Sequence, residues 1–112
     1  MQVHLIDRLP FPITVCAKDG IITYMNSRSI EMFKDDGGDG LIGSNVLDCH
    51  PEPSRTQLES MLKEQTTNCY TIEKKGKKKI IYHAPMYKEG IYDGFVEISF
   101  EIPEQMQHFI RK

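Results

Sequence analysis

The chain has 112 residues, of which 27% are charged and 39% are hydrophobic, and it contains no Trp. This length fits one domain and leaves little room for a second. Fourteen basic against sixteen acidic side chains give a net charge of -2, which excludes a generally basic nucleic-acid binder. No apolar run approaches the ~20 residues that a membrane span needs, so no membrane association is expected.

The cysteine usage indicates an intracellular protein. Cys16, Cys49 and Cys69 are odd in number and widely spaced. A disulfide framework in a small secreted domain is usually denser and even, so we expect reduced thiols. The N-terminus carries no long apolar segment of the kind found in a secretion signal. The sequence therefore predicts a single cytoplasmic domain over residues 1–112.

The first third of the chain predicts a short helix followed by a β-hairpin. Apolar side chains within residues 1–9 indicate an N-terminal helix, which must end before Pro10. Residues 13–17 alternate between apolar and polar types, as a half-buried strand does. Gly20 follows an aspartate between two apolar runs, which is a strong signal for a tight turn, so residues 21–25 form the return strand.

The middle of the chain predicts helices. Asn26 and Ser27 are typical helix-capping residues and favour a short helix after the hairpin. The longest helix is expected from Ser54 to Gln65, opened by a capping box at Ser54. Its apolar stripe is narrow and includes Leu58 and Met61. One face of this helix therefore packs on the rest of the domain.

The last third of the chain predicts three strands, over about residues 69–73, 80–86 and 95–102. Pro103 ends the last strand and opens a C-terminal helix or tail over residues 103–112. Two strands, several helices and three strands combine most economically into an α+β fold, in which helices cover one face of a five-stranded antiparallel sheet. The core spans about residues 9–102.

Three segments resemble PAS domains. Residues 13–26, ITVCAKDGIITYMN, are similar to the opening PAS hairpin. Residues 41–51, LIGSNVLDCHP, resemble the family's segment before its longest helix, and residues 93–99, DGFVEIS, resemble its closing strand. The resemblance implies a sensory or interaction module with a pocket between helices and sheet. It also implies a homodimer, formed through the outer sheet face or the N-terminal helix.

The candidate ligand-binding residues follow from this expected pocket. Leu58 and Met61 on the longest helix should face the sheet, with Tyr24 and Ile98 opposite them. Tyr82 could orient a small ligand through its hydroxyl group, although strand alternation does not say which of its faces is interior. The remaining candidates are Cys49 and His50, which directly precede the helix.

Cys49 and His50 also raise an alternative function, a haem-based redox or gas sensor, because thiolate and imidazole both ligate haem iron. Flavin photochemistry is disfavoured, because Val46 stands where the flavin-binding light sensors carry their reactive cysteine. No metal site is expected, since structural zinc needs about four ligands in close pairs. The lysines of residues 74–79 surround a hairpin glycine, where solvated charge is more common than nucleic-acid binding.

The sequence shows no catalytic constellation, so we do not expect an enzyme. No Gly-x-Ser-x-Gly motif or phosphate-binding glycine loop is present. We expect a module that binds a small ligand or a partner and passes the signal to a separate output protein. A third possibility is a protein–protein interaction module without a ligand. Fold resemblance alone does not decide between these functions.

Overall fold

A computed structural model describes residues 3–112 of the chain. The α-helices are α1 (Val3–Asp7), α2 (Ser27–Met32) and α3 (Ser54–Glu64). Three short 3-10 helices lie between α2 and α3, at Lys34–Asp36, Gly38–Leu41 and Val46–Cys49. The strands are β1 (Ile13–Cys16), β2 (Ile22–Met25), β3 (Asn68–Lys74), β4 (Lys77–Lys88) and β5 (Ile91–Glu101). The predicted helix at residues 1–9 is thus present as α1, and its first two residues lie outside the described range.

The five strands form one antiparallel sheet in the order β2-β1-β5-β4-β3. The opening hairpin therefore pairs with the last strand, and the helical segment between β2 and β3 must cross over the sheet. This arrangement confirms the predicted α+β fold. Within residues 3–112, no helix has both the length and the apolar character that crossing a membrane requires.

The hydrophobic core lies between α3 and one face of the sheet, which we call the inner face. Leu58 and Met61 of α3 belong to the same buried cluster as Cys16 and Phe95. Cys16 on β1 lies directly opposite Phe95 on β5. Since side chains alternate across a strand, Ile98 falls on the other, outer face.

The structure reverses the expected orientation of β5. The apolar series that includes Val96, Ile98 and Phe100 was expected to line the interior, but it faces outward, and Phe100 is 48% exposed. The inner face of β5 carries Glu97 and Ser99 beside the core residue Phe95. Polar side chains are tolerated there because neighbouring strands and helices supply hydrogen-bonding partners.

Of the helix and the tail that the sequence left open after Pro103, the structure has the tail. Residues 103–112 have no regular secondary structure. The apolar side chains of this segment, Met106, Phe109 and Ile110, are all strongly exposed and do not belong to the hydrophobic core. A helix of about ten residues is only marginally stable in water without such packing, so the segment remains an extended tail.

The start of α3 also differs from the predicted capping box. Pro53 is the capping residue and makes no side-chain cap. Glu52 replaces it: its carboxylate accepts hydrogen bonds from the Thr56 amide at 2.8 Å and from the Thr56 hydroxyl at 2.7 Å. These bonds favour the ionised form and lower the pKa of Glu52. The side chain that caps α3 therefore lies two residues before Ser54, the position that the sequence pattern indicated.

Asn26 holds three segments together from a fully buried position. Its side-chain oxygen accepts hydrogen bonds from the amides of Ile13 at 2.9 Å and Ser29 at 3.0 Å. Its side-chain nitrogen donates to the carbonyls of Ile6 at 3.1 Å and Phe11 at 2.9 Å. One side chain thus caps α2, starts β1 and fixes the segment that leads from α1.

We expect Asn26→Asp to lower the free energy of unfolding by about 3 kcal/mol, because a carboxylate removes both donors and faces two carbonyls in a buried site. Urea unfolding followed by circular dichroism measures this loss. Asn68→Asp, at an exposed position on β3, is the matched control and should change stability by less than about 0.5 kcal/mol. Equal stabilities of the two variants would contradict the role assigned to Asn26.

Candidate functional site

A groove of about 510 Å³ lies between α3 and the sheet. We call it the inner groove. Its lining residues are His50 ahead of α3, Ser54, Gln57, Leu58 and Met61 on α3, and Asn68, Tyr70 and His83 on β3 and β4. The groove combines apolar side chains with several polar groups, as small-molecule sites commonly do.

The structure brings three of the predicted site residues together in the inner groove. Leu58 and Met61 are 5% and 8% exposed and form part of its wall. His50 lies at one end, where a 3-10 helix leads into α3. The apolar spacing of α3 predicted that Leu58 and Met61 lie on its buried face, and both side chains are buried there.

The other predicted residues lie elsewhere. The outer face carries Tyr24, Tyr82 and Ile98. Strand pairing gives this assignment, because Tyr24 lies opposite Val15 and Tyr82 lies opposite Ile98. Partial burial and the Asp7 carboxylate, which accepts a hydrogen bond from the hydroxyl, raise the pKa of Tyr24. None of these three side chains lines the inner groove.

Cys49 is exposed and does not line the groove, whereas its neighbour His50 does. The His50 ring has a defined tautomer, because its Nδ1 lies 2.8 Å from the carbonyl oxygen of Val46. A carbonyl only accepts hydrogen bonds, so Nδ1 carries the proton and donates. The neutral ring therefore keeps its lone pair on Nε2, the atom available to a ligand.

His83 is a functional candidate that was not among the binding residues predicted from the sequence. It lies directly opposite Glu97 in the β4–β5 pairing, and its Nε2 is 2.8 Å from the Glu97 Oε2. The imidazole is 5% exposed. Its other nitrogen, Nδ1, is buried and has no hydrogen-bonding partner among the described residues.

The orientation of the His83 ring is fixed by two aromatic neighbours. Tyr70 and Phe95 both meet it edge-on, with centroid distances of 5.8 and 6.0 Å. Burial, and to a smaller extent the Glu97 carboxylate, raises the pKa of Tyr70. The only sequence signal for His83 was its position on the same strand face as Ile81, and alternation alone did not show that this face is the inner one.

Burial also controls the reactivity of the cysteines. Burial is the main cause that raises the pKa of Cys16 to about 12, and the Glu97 carboxylate adds to it. Cys16 is therefore a neutral thiol at pH 8, and thiols in this form are poor nucleophiles. Cys49 and Cys69 are exposed.

We expect a disulfide-exchange reagent at pH 8 to label Cys49 and Cys69 rapidly in the folded protein and Cys16 only after unfolding. The absorbance of the released thiolate counts the labelled cysteines with time. The variant Cys49→Ser/Cys69→Ser provides the control, and it should show almost no fast reaction until urea is added. Fast labelling of that double variant without urea would show that Cys16 is accessible.

Comparisons with known proteins identify the family. A family model described as the PAS fold matches residues 1–83. The PAS domain of BvgS from Bordetella pertussis is similar in structure, with a TM-score of 0.70 and 21% identity over 91% of this chain and 84% of that one. The five-stranded sheet and its helices have the architecture of these domains, and the chain belongs to the PAS fold family.

Two further solved structures show the same fold. One is a sensory box sensor histidine kinase from Vibrio cholerae, with a TM-score of 0.65 and 19% identity over 92% of this chain and 90% of that one. The other is the Aer2 receptor of Vibrio cholerae, described as a dual PAS-haem oxygen sensor, with a TM-score of 0.63 and 16% identity over 83% and 95%. No curated protein sequence matched the chain.

Proposed function

We propose that this PAS domain is a sensory module that binds a small molecule in the inner groove. The observation that carries the proposal is the groove itself, about 510 Å³ between α3 and the sheet. Leu58 and Met61 supply apolar contact, while Nδ1 of the buried His83 ring supplies a polar atom without a hydrogen-bonding partner within residues 3–112. A concave, mostly apolar site with a few oriented polar groups is typical of ligand recognition.

Ligand binding can act on the rest of the domain only through a difference in affinity between two arrangements of the helices. A ligand in the groove contacts α3 and the sheet together, so it favours arrangements that keep both surfaces in place. We propose that α1 and the outer face transmit this bias to a separate output protein. The homodimer and the cytoplasmic location stay predictions from the sequence.

We propose a binding role and no catalytic one. Each imidazole of the groove uses one nitrogen for orientation, His50 toward the Val46 carbonyl and His83 toward the Glu97 carboxylate. Among the described residues, neither imidazole is hydrogen-bonded to a hydroxyl or thiol group. Nucleophilic catalysis by such groups depends on that contact with a base.

We expect Gln57→Trp to abolish ligand binding, because Gln57 is exposed on α3 and lines the groove, where an indole ring would occupy the space. Thermal unfolding in the presence of a metabolite collection gives the measurement, since a ligand at about 100 times its Kd stabilises by about 2.7 kcal/mol. Glu59→Trp is the matched control, exposed on the same helix but outside the groove lining. Hits that stabilise Gln57→Trp as strongly as the control would place the binding site elsewhere.

Haem is a second candidate ligand, favoured by the geometry of His50. Its Nδ1 donates to the Val46 carbonyl, which leaves Nε2 as an unprotonated donor atom beside apolar Leu58 and Met61. Metal-ligating histidines characteristically have their second nitrogen fixed in this way. Bound haem would supply an iron centre for gas or redox sensing, and His50 would hold it. Cys49 does not line the groove, so the thiolate alternative receives no such support.

Haem titration followed by absorption spectroscopy tests this candidate. We expect added haemin to give a shifted Soret band in the wild type and in Cys49→Ala, and to give no such shift in His50→Ala. The contrast follows from the tautomer of His50 and from the exposure of Cys49 outside the groove. A Soret shift that survives in His50→Ala, or that disappears in Cys49→Ala, would contradict the assignment of His50.

A further inference from the structure

We propose that the inner groove selects an uncharged ligand that donates a hydrogen bond to Nδ1 of His83, and that Glu97 is the positioning residue for this contact. The inference rests on the proposed binding function and names the chemistry of the ligand. It follows from the pairing of His83 with Glu97, the partnerless nitrogen, and the charges around the groove.

The pairing with Glu97 determines which nitrogen of His83 holds the proton. An ionised carboxylate only accepts hydrogen bonds, so the 2.8 Å contact places a proton on Nε2. The neutral ring then has its lone pair on Nδ1, which is an acceptor. A carboxylate behind an imidazole increases the basicity of the opposite nitrogen, as it does in metal sites. In this neutral form Nδ1 is a strong acceptor that the described residues leave unused.

The cost of an unused buried acceptor favours an external partner. Burying a polar atom without a hydrogen bond is unfavourable, and folded proteins leave few such atoms unpaired. His83 lines the groove, but its Nδ1 is buried, so a bound molecule can reach this atom only when a neighbouring side chain moves. Tyr70 covers one side of the imidazole but is 41% exposed on β3, the edge strand. We expect its ring to move aside when a ligand enters.

The charges around the groove disfavour an anionic ligand. The lining residues include no lysine or arginine, and the Glu97 carboxylate lies directly behind His83. A ligand carboxylate or phosphate would meet this negative charge without a permanent cation to offset it. An N–H or O–H group on an uncharged ring instead matches the acceptor. Leu58 and Met61 provide apolar contact for the remainder of such a ring.

Three small probes distinguish these possibilities: indole, 1-methylindole and benzoate. Indole is uncharged and has an N–H donor, 1-methylindole has the same ring without the donor, and benzoate is anionic. NMR titration of the ¹⁵N-labelled protein gives a Kd for each probe and shows whether the groove residues respond. We expect indole to bind about tenfold more tightly than 1-methylindole, because one hydrogen bond to Nδ1 contributes roughly a factor of ten in affinity. Benzoate should bind more weakly than indole.

Variants separate the role of His83 from general packing. His83→Phe/Glu97→Leu replaces both polar partners with apolar groups, a change that is often nearly neutral for stability. We expect this double variant to bind indole and 1-methylindole equally. Glu97→Gln keeps the side-chain size and should reduce the preference for indole, because the neutral amide no longer increases the basicity of Nδ1. Tyr82→Phe, on the outer face, is the control and should preserve the tenfold ratio.

The tautomer itself is measured by the ¹⁵N chemical shifts of the His83 ring. A protonated Nε2 and an unprotonated Nδ1 are expected, and the reverse assignment would overturn the proposal. Equal affinities for indole and 1-methylindole in the wild type would overturn it too, as would no response to any probe. The proposed sensing function has its own test in Gln57→Trp, so groove binding without the N–H preference would leave that function intact while refuting this inference.

Discussion

The buried side chain of Asn26 is the interaction on which the arrangement of the N-terminal half depends. It accepts from the first residue of β1 and from the first turn of α2, and it donates to the Ile6 carbonyl in α1 and to the Phe11 carbonyl in the segment that follows α1. A buried backbone group without a partner is unfavourable by about 1–3 kcal/mol, and these bonds satisfy the buried amides of Ile13 and Ser29. The amide can satisfy all four contacts only in one arrangement, so α1 is held in a defined position beside the hairpin.

A continuous set of contacts leads from this position to the inner groove. Ser29, whose amide is capped by Asn26, exchanges a hydroxyl hydrogen bond with Thr14. Thr14 pairs with Glu97 across β1 and β5, and Glu97 accepts the hydrogen bond of His83. These contacts describe geometry alone. Energetic coupling between α1 and the groove would also require an element that populates two arrangements. Helix α1 joins this set of contacts through the Ile6 carbonyl and the Asp7 carboxylate, which accept hydrogen bonds from Asn26 and Ser27.

Much of the fold was predictable because its signals are local. The Asp19-Gly20 turn defined the hairpin, and the apolar spacing of α3 placed Leu58 and Met61 on its buried face. The orientation of the sheet was not predictable in the same way. Ile98 was expected to be interior and the face of Tyr82 was left open, but both lie on the outer face, and the inner face of β5 holds Glu97. Glu97 is acceptable there because His83 lies opposite it, and such a pairing depends on strand register that no short sequence window contains.

The unexpected orientation of β5 bears on the function of the domain as well as on its structure. Replacing a buried ion-paired or hydrogen-bonded pair with apolar residues is often neutral or stabilising, so stability gives little reason for His83 and Glu97 to occupy the inner layer. Burying the more apolar face of β5 would have been the simpler solution for a small core. Departures from such local rules occur mainly where a protein binds or reacts. The inner-layer placement of His83 and Glu97 is therefore in keeping with the selectivity that we propose for the groove.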